Sequence, residues 1–239
     1  MRKTKKRFLS ALLACAMIVS LFPFAAFAGE GDVAKIGEQG YATLQGAIDQ
    51  AADGAEIKLI ADTTENITVA ADDNITLDLN GHKVTNTDAH TIINYGHLVI
   101  EDSSSAATGT VDNITHAKAA IYNYGTLTIQ GGMYTRSLET QDYVDDGSDN
   151  SWYTVVNSGT MTINGGFFTT ADGQPENLGN RSSLIRNGND DKSDNIEVGN
   201  LTITGGTFVS GANVIKNEAG SVIEAITGGT FTMDNSKIA

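Results

Sequence analysis

The chain has 239 residues, with 29 Asp/Glu against 15 Lys/Arg and a formal net charge of −14. So acidic a surface repels nucleic acid and anionic polysaccharide and attracts divalent cations, which excludes a nucleic-acid partner. One cysteine, Cys15, excludes an internal disulfide.

The first element is a targeting segment. Arg2, Lys3, Lys5, Lys6 and Arg7 form a basic n-region, Phe8 to Phe24 is largely apolar, and Ala26-Phe27-Ala28 is an A-x-A cleavage signal. Residues 1–28 therefore read as a signal peptide, and residues 29–239 as a secreted or cell-surface mature chain. A transmembrane anchor is disfavoured because Pro23 and small residues break the run, so no anchor is expected in the mature chain. Leu12-Leu13-Ala14-Cys15 loosely resembles a lipoprotein signal, but the apolar stretch before it is short and a better cleavage site follows. Cleavage leaves 10 basic against 29 acidic residues, a net charge of −19, and no cysteine. Packing alone must then hold the mature domain together.

One helix is expected next, over about residues 42–53. Leu44, Ala47, Ile48 and Ala51 fall at i, i+3, i+4 and i+7, with Thr43 as N-cap and Gly54 as terminator. Everything after it reads as strands with period two: Ile57-Lys58-Leu59, Ile67-Thr68-Val69, Ile75-Thr76-Leu77-Asp78-Leu79, and on through Leu98, Leu127, Met161 and Leu201. The intervals from Ile75 through these positions are 23, 29, 34 and 40, and 21 more lead to Val222. A sandwich would place strands every ~8–12 residues. A coil of three short strands and three turns needs about 20. The short intervals match one bare coil and the long ones a coil with an inserted loop, which predicts a parallel β-helix with coils over about residues 55–233.

Two further registers agree. LTIQGGMY, MTINGGFF, LTITGGTF and AITGGTF begin at Leu127, Met161, Leu201 and Ala225. Their Gly-Gly pairs predict a corner, and Tyr134, Phe168, Phe208 and Phe231 an internal aromatic column. Asn94, Asn123, Asn157, Asn187 and Asn217 recur at intervals of 29, 34, 30 and 30 and predict an asparagine ladder at another corner.

LQGAIDQAADGAEIKLIAD, ITLDLNGHKV and the repeated I-x-N-x-G-x-LTI-x-GG-x-F resemble the pectate-lyase-like right-handed β-helix proteins, and more closely the repetitive secreted or surface proteins of Gram-positive bacteria. The resemblance covers nearly the whole mature chain. It implies an all-β, single-stranded right-handed parallel β-helix with a short N-terminal capping helix, and by association an adhesin-like role.

Chemistry must sit on outward rows or loops. Aligning the repeats puts Thr76, Val99, Thr128, Thr162 and Thr202 in one outward row and Asp78, Glu101, Gln130, Asn164 and Thr204 in the next. Asp78 and Glu101 on adjacent coils read either as an acid–base pair or as a solvated pair tolerating repulsion, and the absence of an aligned His or Arg favours the second. Asp142, Asp145, Asp146 and Asp149 in one long loop, and Asp190, Asp191 and Asp194 in another, are candidate calcium ligands, although neither loop has EF-hand spacing. The four histidines show no metal-ligand spacing. Calcium-assisted lyases on the resembled fold add a basic residue, for which Arg136 and Arg186 are the candidates. A polyanionic substrate suits so acidic a surface poorly. Tyr95 and Tyr124, each in N-Y-G, should stack on neighbouring coils, where they bind a sugar face or shield the corner. No cofactor is required, and calcium is the candidate ion.

These readings converge on a secreted binding or structural protein, adhesin-like or glycan-interacting. A polysaccharide-degrading enzyme, either a lyase or a glycoside hydrolase, is the alternative. A piece of a larger surface protein is a third reading. The last coil ends without a cap, so end-to-end self-association is expected there.

Overall fold

The computed structural model describes residues 28–115, 117–137, 153–170, 183–189, 196–211 and 213–234. Residues 1–27 of the signal segment and the acidic stretches 138–152 and 190–195 of the two long loops therefore lie outside the described residues. Two short strands, β1 (Ala34–Ile36) and β2 (Gln39–Tyr41), open the domain, followed by helix α1 (Leu44–Asp49). The chain then repeats a cycle of three strands. The first cycles are β3 (Ala55–Leu59), β4 (Thr63–Thr64), β5 (Ile67–Val69); β6 (Asn74–Asp78), β7 (Lys83–Thr85), β8 (Ile92–Asn94); and β9 (His97–Glu101), β10 (Thr110–Asp112), β11 (Ile121–Asn123). They continue as β12 (Thr126–Ile129), β13 (Met133–Thr135), β14 (Val155–Asn157); β15 (Thr160–Ile163), β16 (Phe167–Phe168), β17 (Ile185–Asn187); β18 (Asn200–Ile203), β19 (Thr207–Ser210), β20 (Ile215–Asn217); and finally β21 (Val222–Ile226) and β22 (Thr230–Met233).

Successive strands go to three different sheets in strict rotation. The first sheet runs β3-β6-β9-β12-β15-β18-β21, the second β4-β7-β10-β13-β16-β19-β22 and the third β5-β8-β11-β14-β17-β20. All of these pairings are parallel. The protein is thus all-β with parallel sheets, compatible with a β-helix. No helix among the described residues is long and apolar enough to cross a membrane.

The period-two pattern explains why the sheets close on a common core. Ile75, Leu98, Leu127, Met161 and Leu201 pair in one column, and Leu77, Ile100, Ile129, Ile163 and Ile203 in the next. All are at most 2 % exposed. Burying each such side chain contributes roughly 1.5–3 kcal/mol. In the second sheet, the rings of Tyr134, Phe168, Phe208 and Phe231 stack with centroids 4.8 Å apart. That separation is the spacing of neighbouring strands, so one ring per coil fits without adjustment.

The two glycines of each repeated pair have different jobs. Gly166 has φ +96°, which a side chain would strain. Gly165 has no such φ, but a Cβ there would lie 2.3 Å from the Gln130 carbonyl oxygen of the coil below. One glycine turns the chain and the other lets two coils touch.

The asparagine ladder forms in the expected register. Asn94, Asn123, Asn157 and Asn187 each donate Nδ2 to the Oδ1 of the next asparagine, at 2.7, 2.8, 2.7 and 2.7 Å. Each also donates to a carbonyl of the following strand, as Asn157 does to Asn200 at 3.1 Å. The first coil places Val69 at the ladder position instead.

Three features depart from the sequence expectation. Helix α1 ends at Asp49, and Gly54 (φ +76°) turns the chain into β3 instead of terminating the helix. Thr43 is the N-cap as expected, with Oγ1 accepting from Gly46, while Glu65 of the first coil accepts from the Leu44 and Gln45 amides. The β1–β2 hairpin, closed by Gly37 and Glu38, adds two antiparallel strands to the edge of β3. In the last coil Glu224 forms a bulge, so Ile223, not Val222, lies in line with Leu201.

Candidate binding faces and polar clusters

The outer face of the first sheet carries the acidic row. Asp78 and Glu101 pair across β6 and β9 as the repeats indicate. Asp78 is not solvated, however: it is 1 % exposed because the turn after β9 folds over it. Its Oδ1 accepts from the Asn80 and Ser103 amides at 2.9 Å each, and its Oδ2 from Lys58 Nζ at 2.7 Å and Ser103 Oγ at 2.6 Å. Burial alone would raise the Asp78 carboxyl, but these hydrogen bonds outweigh it and hold the pKa below its ordinary value. Glu101 moves the other way, raised by burial and by the charges of Asp78 and Glu56. The hydrogen bond to Asp78 raises Lys58 against an opposing burial effect.

Lys58 and Glu56 belong to the first coil, which the repeat alignment starting at Ile75 leaves out. Carboxylate oxygens of Glu56, Asp78 and Glu101 lie within 4.8 Å of one another. The Lys58 ammonium already stands against Asp78 and supplies the counter-charge a divalent ion would bring. All acceptor directions of Asp78 are engaged, so it anchors a turn and is not placed to take a proton from a substrate. Beside this cluster, Lys35, Ile36, Gly37, Glu56 and Lys58 line an open depression of about 400 Å³.

The candidate arginines do not converge on these carboxylates. Arg136 follows β13, is 1 % exposed, and donates Nη2 to the Thr115 carbonyl at 3.4 Å. Arg186 lies in β17 on another sheet. Its Nε donates to Glu218 at 2.6 Å, and its guanidinium sits 5.2 Å from the centre of the Tyr153 ring. Lys216 shares the same Glu218 oxygen at 2.8 Å. Hydrogen bonds and ion pairing with both cations hold the Glu218 carboxyl below its ordinary value against an opposing burial effect. The calcium candidates Asp142, Asp145, Asp146, Asp149, Asp190, Asp191 and Asp194 lie outside the described residues.

The tyrosine corner is the most developed exposed feature. The asparagine ladder fixes the turns in which Tyr95 and Tyr124 follow Asn94 and Asn123, and the two rings stack at 5.0 Å and 6°. Tyr122 joins Tyr124 at 4.5 Å and 15°. Tyr95 and Tyr124 remain 47 % and 37 % exposed, whereas Tyr122 is buried. The Tyr122 hydroxyl donates to Glu197 Oε2 at 2.9 Å and accepts from Asn189 Nδ2 at 3.1 Å, and Ser158 Oγ donates to the same Glu197 oxygen at 2.6 Å. Asn189 and Glu197 themselves form an antiparallel bridge. The neck of the second acidic insertion is thus tied to the tyrosine corner.

Burial raises the Tyr122 and Tyr124 hydroxyls, and the Glu197 charge adds to it. His90 packs its edge against Tyr122, and burial depresses its pKa to about 4, so it is neutral at pH 7. The pairing of Tyr95 with Tyr124 was readable from N-Y-G. Tyr122 was signalled only by its place two residues before Tyr124, and Glu197, 75 residues from Tyr122, carried no local signal. No family model, curated protein or solved structure matches the chain.

Proposed function

We propose that the protein is an exported right-handed parallel β-helix of the pectate-lyase-like surface type, with α1 capping its first coil, and that it binds a glycan at the tyrosine corner. The observation that carries this reading is the Tyr95–Tyr124 stack, left substantially exposed on a rigid ladder beside a fixed carboxylate. Aromatic rings at a sugar-binding surface offer apolar area at low entropic loss, and adjacent Glu197, Ser158 and Asn189 supply partners for hydroxyl groups. A rigid solenoid that presents such a face fits an adhesin-like role.

Cleavage of a polysaccharide on the same fold has less support. Asp78 is saturated by four hydrogen bonds, and Arg186 is matched by Glu218. The test is a glycan array probed with the wild-type protein and with a Tyr95→Ala/Tyr124→Ala variant, with and without calcium, alongside a lyase absorbance assay on acidic polysaccharides. Binding that the double substitution removes while the fold stays intact is the expected result. Turnover in the lyase assay, or binding indifferent to both tyrosines, would refute the reading.

A further inference from the structure

The chemistry around the tyrosine stack narrows the ligand class. Glu197 is partly exposed and pinned through Oε2 by Tyr122 and Ser158, while its Oε1 has no partner among the described residues. One oxygen of a carboxylate is therefore held in place near the exposed Tyr124 ring, on which Tyr95 stacks, and the other stands open to a donor among the described residues. The negative charge felt at the Tyr122 and Tyr124 hydroxyls is that of Glu197, which helps keep both protonated. The field that disfavours a phenolate there favours an ammonium group. The neighbouring His90 is uncharged at neutral pH and adds no opposing charge. At longer range the mature net charge of −19 draws cations in and turns polyanions away.

We infer that the tyrosine corner takes a glycan bearing free amino groups, with the sugar ring against Tyr95 and Tyr124 and an ammonium on Glu197. This rests on the glycan-binding reading above. It commits that reading to a cationic amino sugar over a neutral, N-acetylated or acidic one. The cation also gains from the electron-rich ring faces near it, an attraction that an acetamide lacks.

The experiment titrates the full-length mature protein with three hexasaccharides: glucosamine, N-acetylglucosamine and galacturonic acid. The expected result is roughly fivefold tighter binding of the glucosamine hexamer than of the N-acetyl form, as one partly screened ion pair gives. No binding of the galacturonate hexamer is expected. The preference should shrink as salt rises. Glu197→Gln keeps an acceptor for Tyr122 and Ser158, and should equalise the two glucosamine forms without weakening the N-acetyl one. Glu56→Gln, on another sheet, should leave the preference intact and so separates the site from bulk charge. Equal affinity for both hexamers overturns the inference while the tyrosine site stands, as does a preference that survives Glu197→Gln or vanishes in Glu56→Gln. Failure of all three hexamers and of the array overturns the underlying reading as well.

Discussion

Asn157 uses its amide at both ends. It donates to Asn187 and to the Asn200 carbonyl, and its oxygen accepts from Asn123. Substitution by Ala leaves the Asn187 acceptor buried without its donor, while the Asn123 amide keeps the Gly125 and Thr160 carbonyls as acceptors. At about 1–3 kcal/mol for a buried unsatisfied group, Asn157→Ala should destabilise the domain by roughly 1–3 kcal/mol in chemical denaturation. A loss below about 1 kcal/mol would mean that water replaces the amide. Asp78 and Glu101 make opposite predictions about pH. Asp78 is held below its ordinary 3.8, so its contribution is present above that value and is lost as pH falls through the lower, folded pKa. Lys58 is raised above 10.5, so its share is present below 10.5 and is lost as pH climbs through the higher, folded value. Glu101 is raised above 4.5, so ionising it works against folding at neutral pH. Glu101→Gln should therefore raise the melting temperature at pH 7 and change it little at pH 3. Asp78→Asn should lower it at pH 7 and flatten the acid limb. Equal effects of Glu101→Gln at both pH values would remove the electrostatic explanation. Register was legible at this scale, because Asp78 and Glu101 are adjacent as the repeats say. Burial was not, because the Ser103 turn that covers Asp78 carries no repeat of its own.

The elements are too short to stand alone. Most strands have three to five residues, and each gains its stability from the strand above and the strand below. The aromatic column shows how position within the stack decides the energy. Phe168 is fully buried between Tyr134 and Phe208, whereas Phe231 has one stacked ring partner among the described residues and is 42 % exposed. Phe168→Ala should cost about 3–5 kcal/mol of global stability, and Phe231→Ala roughly 1 kcal/mol. Equal losses in denaturant titrations would contradict this ranking. Elements repeated in sequence were the legible ones, because one phrase per coil reports one strand, one turn and one ring. The unrepeated ones were not. AKI and QGY are too short to show alternation, and only the two-residue turn at Gly37 and Glu38 makes them a hairpin. Helix α1 was visible from its apolar spacing and its Thr43 cap. Its shorter length comes from the Gln50 amide closing back on Ala47 and Ile48, before Gly54 is reached.

Across the whole molecule, stability should vary along the axis, because each coil touches only its neighbours. The two ends differ. At the N-terminal end, α1 buries Leu44, Ala47 and Ile48 in the core, and the antiparallel hairpin covers the edge of β3. At the other, β20, β21 and β22 are the outermost strands of their sheets among the described residues, and Ile223, Ile226, Phe231 and Met233 are 37, 47, 42 and 62 % exposed. These side chains continue the inward columns of the preceding coils, so the face they form is a section through the core. Amides of β21 and β22 should therefore exchange hydrogen far faster in dilute protein than those of β12 and β13, their counterparts three coils earlier in the same sheets. Uniform protection along the axis would contradict the gradient. The parallel edges and the apolar section are also where end-to-end association would act. If two molecules meet there, exchange in β20–β22 slows as the protein is concentrated, while β9–β15 are unaffected. A gradient independent of concentration would leave the nearest-neighbour energetics of the parallel sheets intact and remove self-association. The concentration series thus separates fraying of a terminal coil from pairing through it, and it does so on the strands that make the contact.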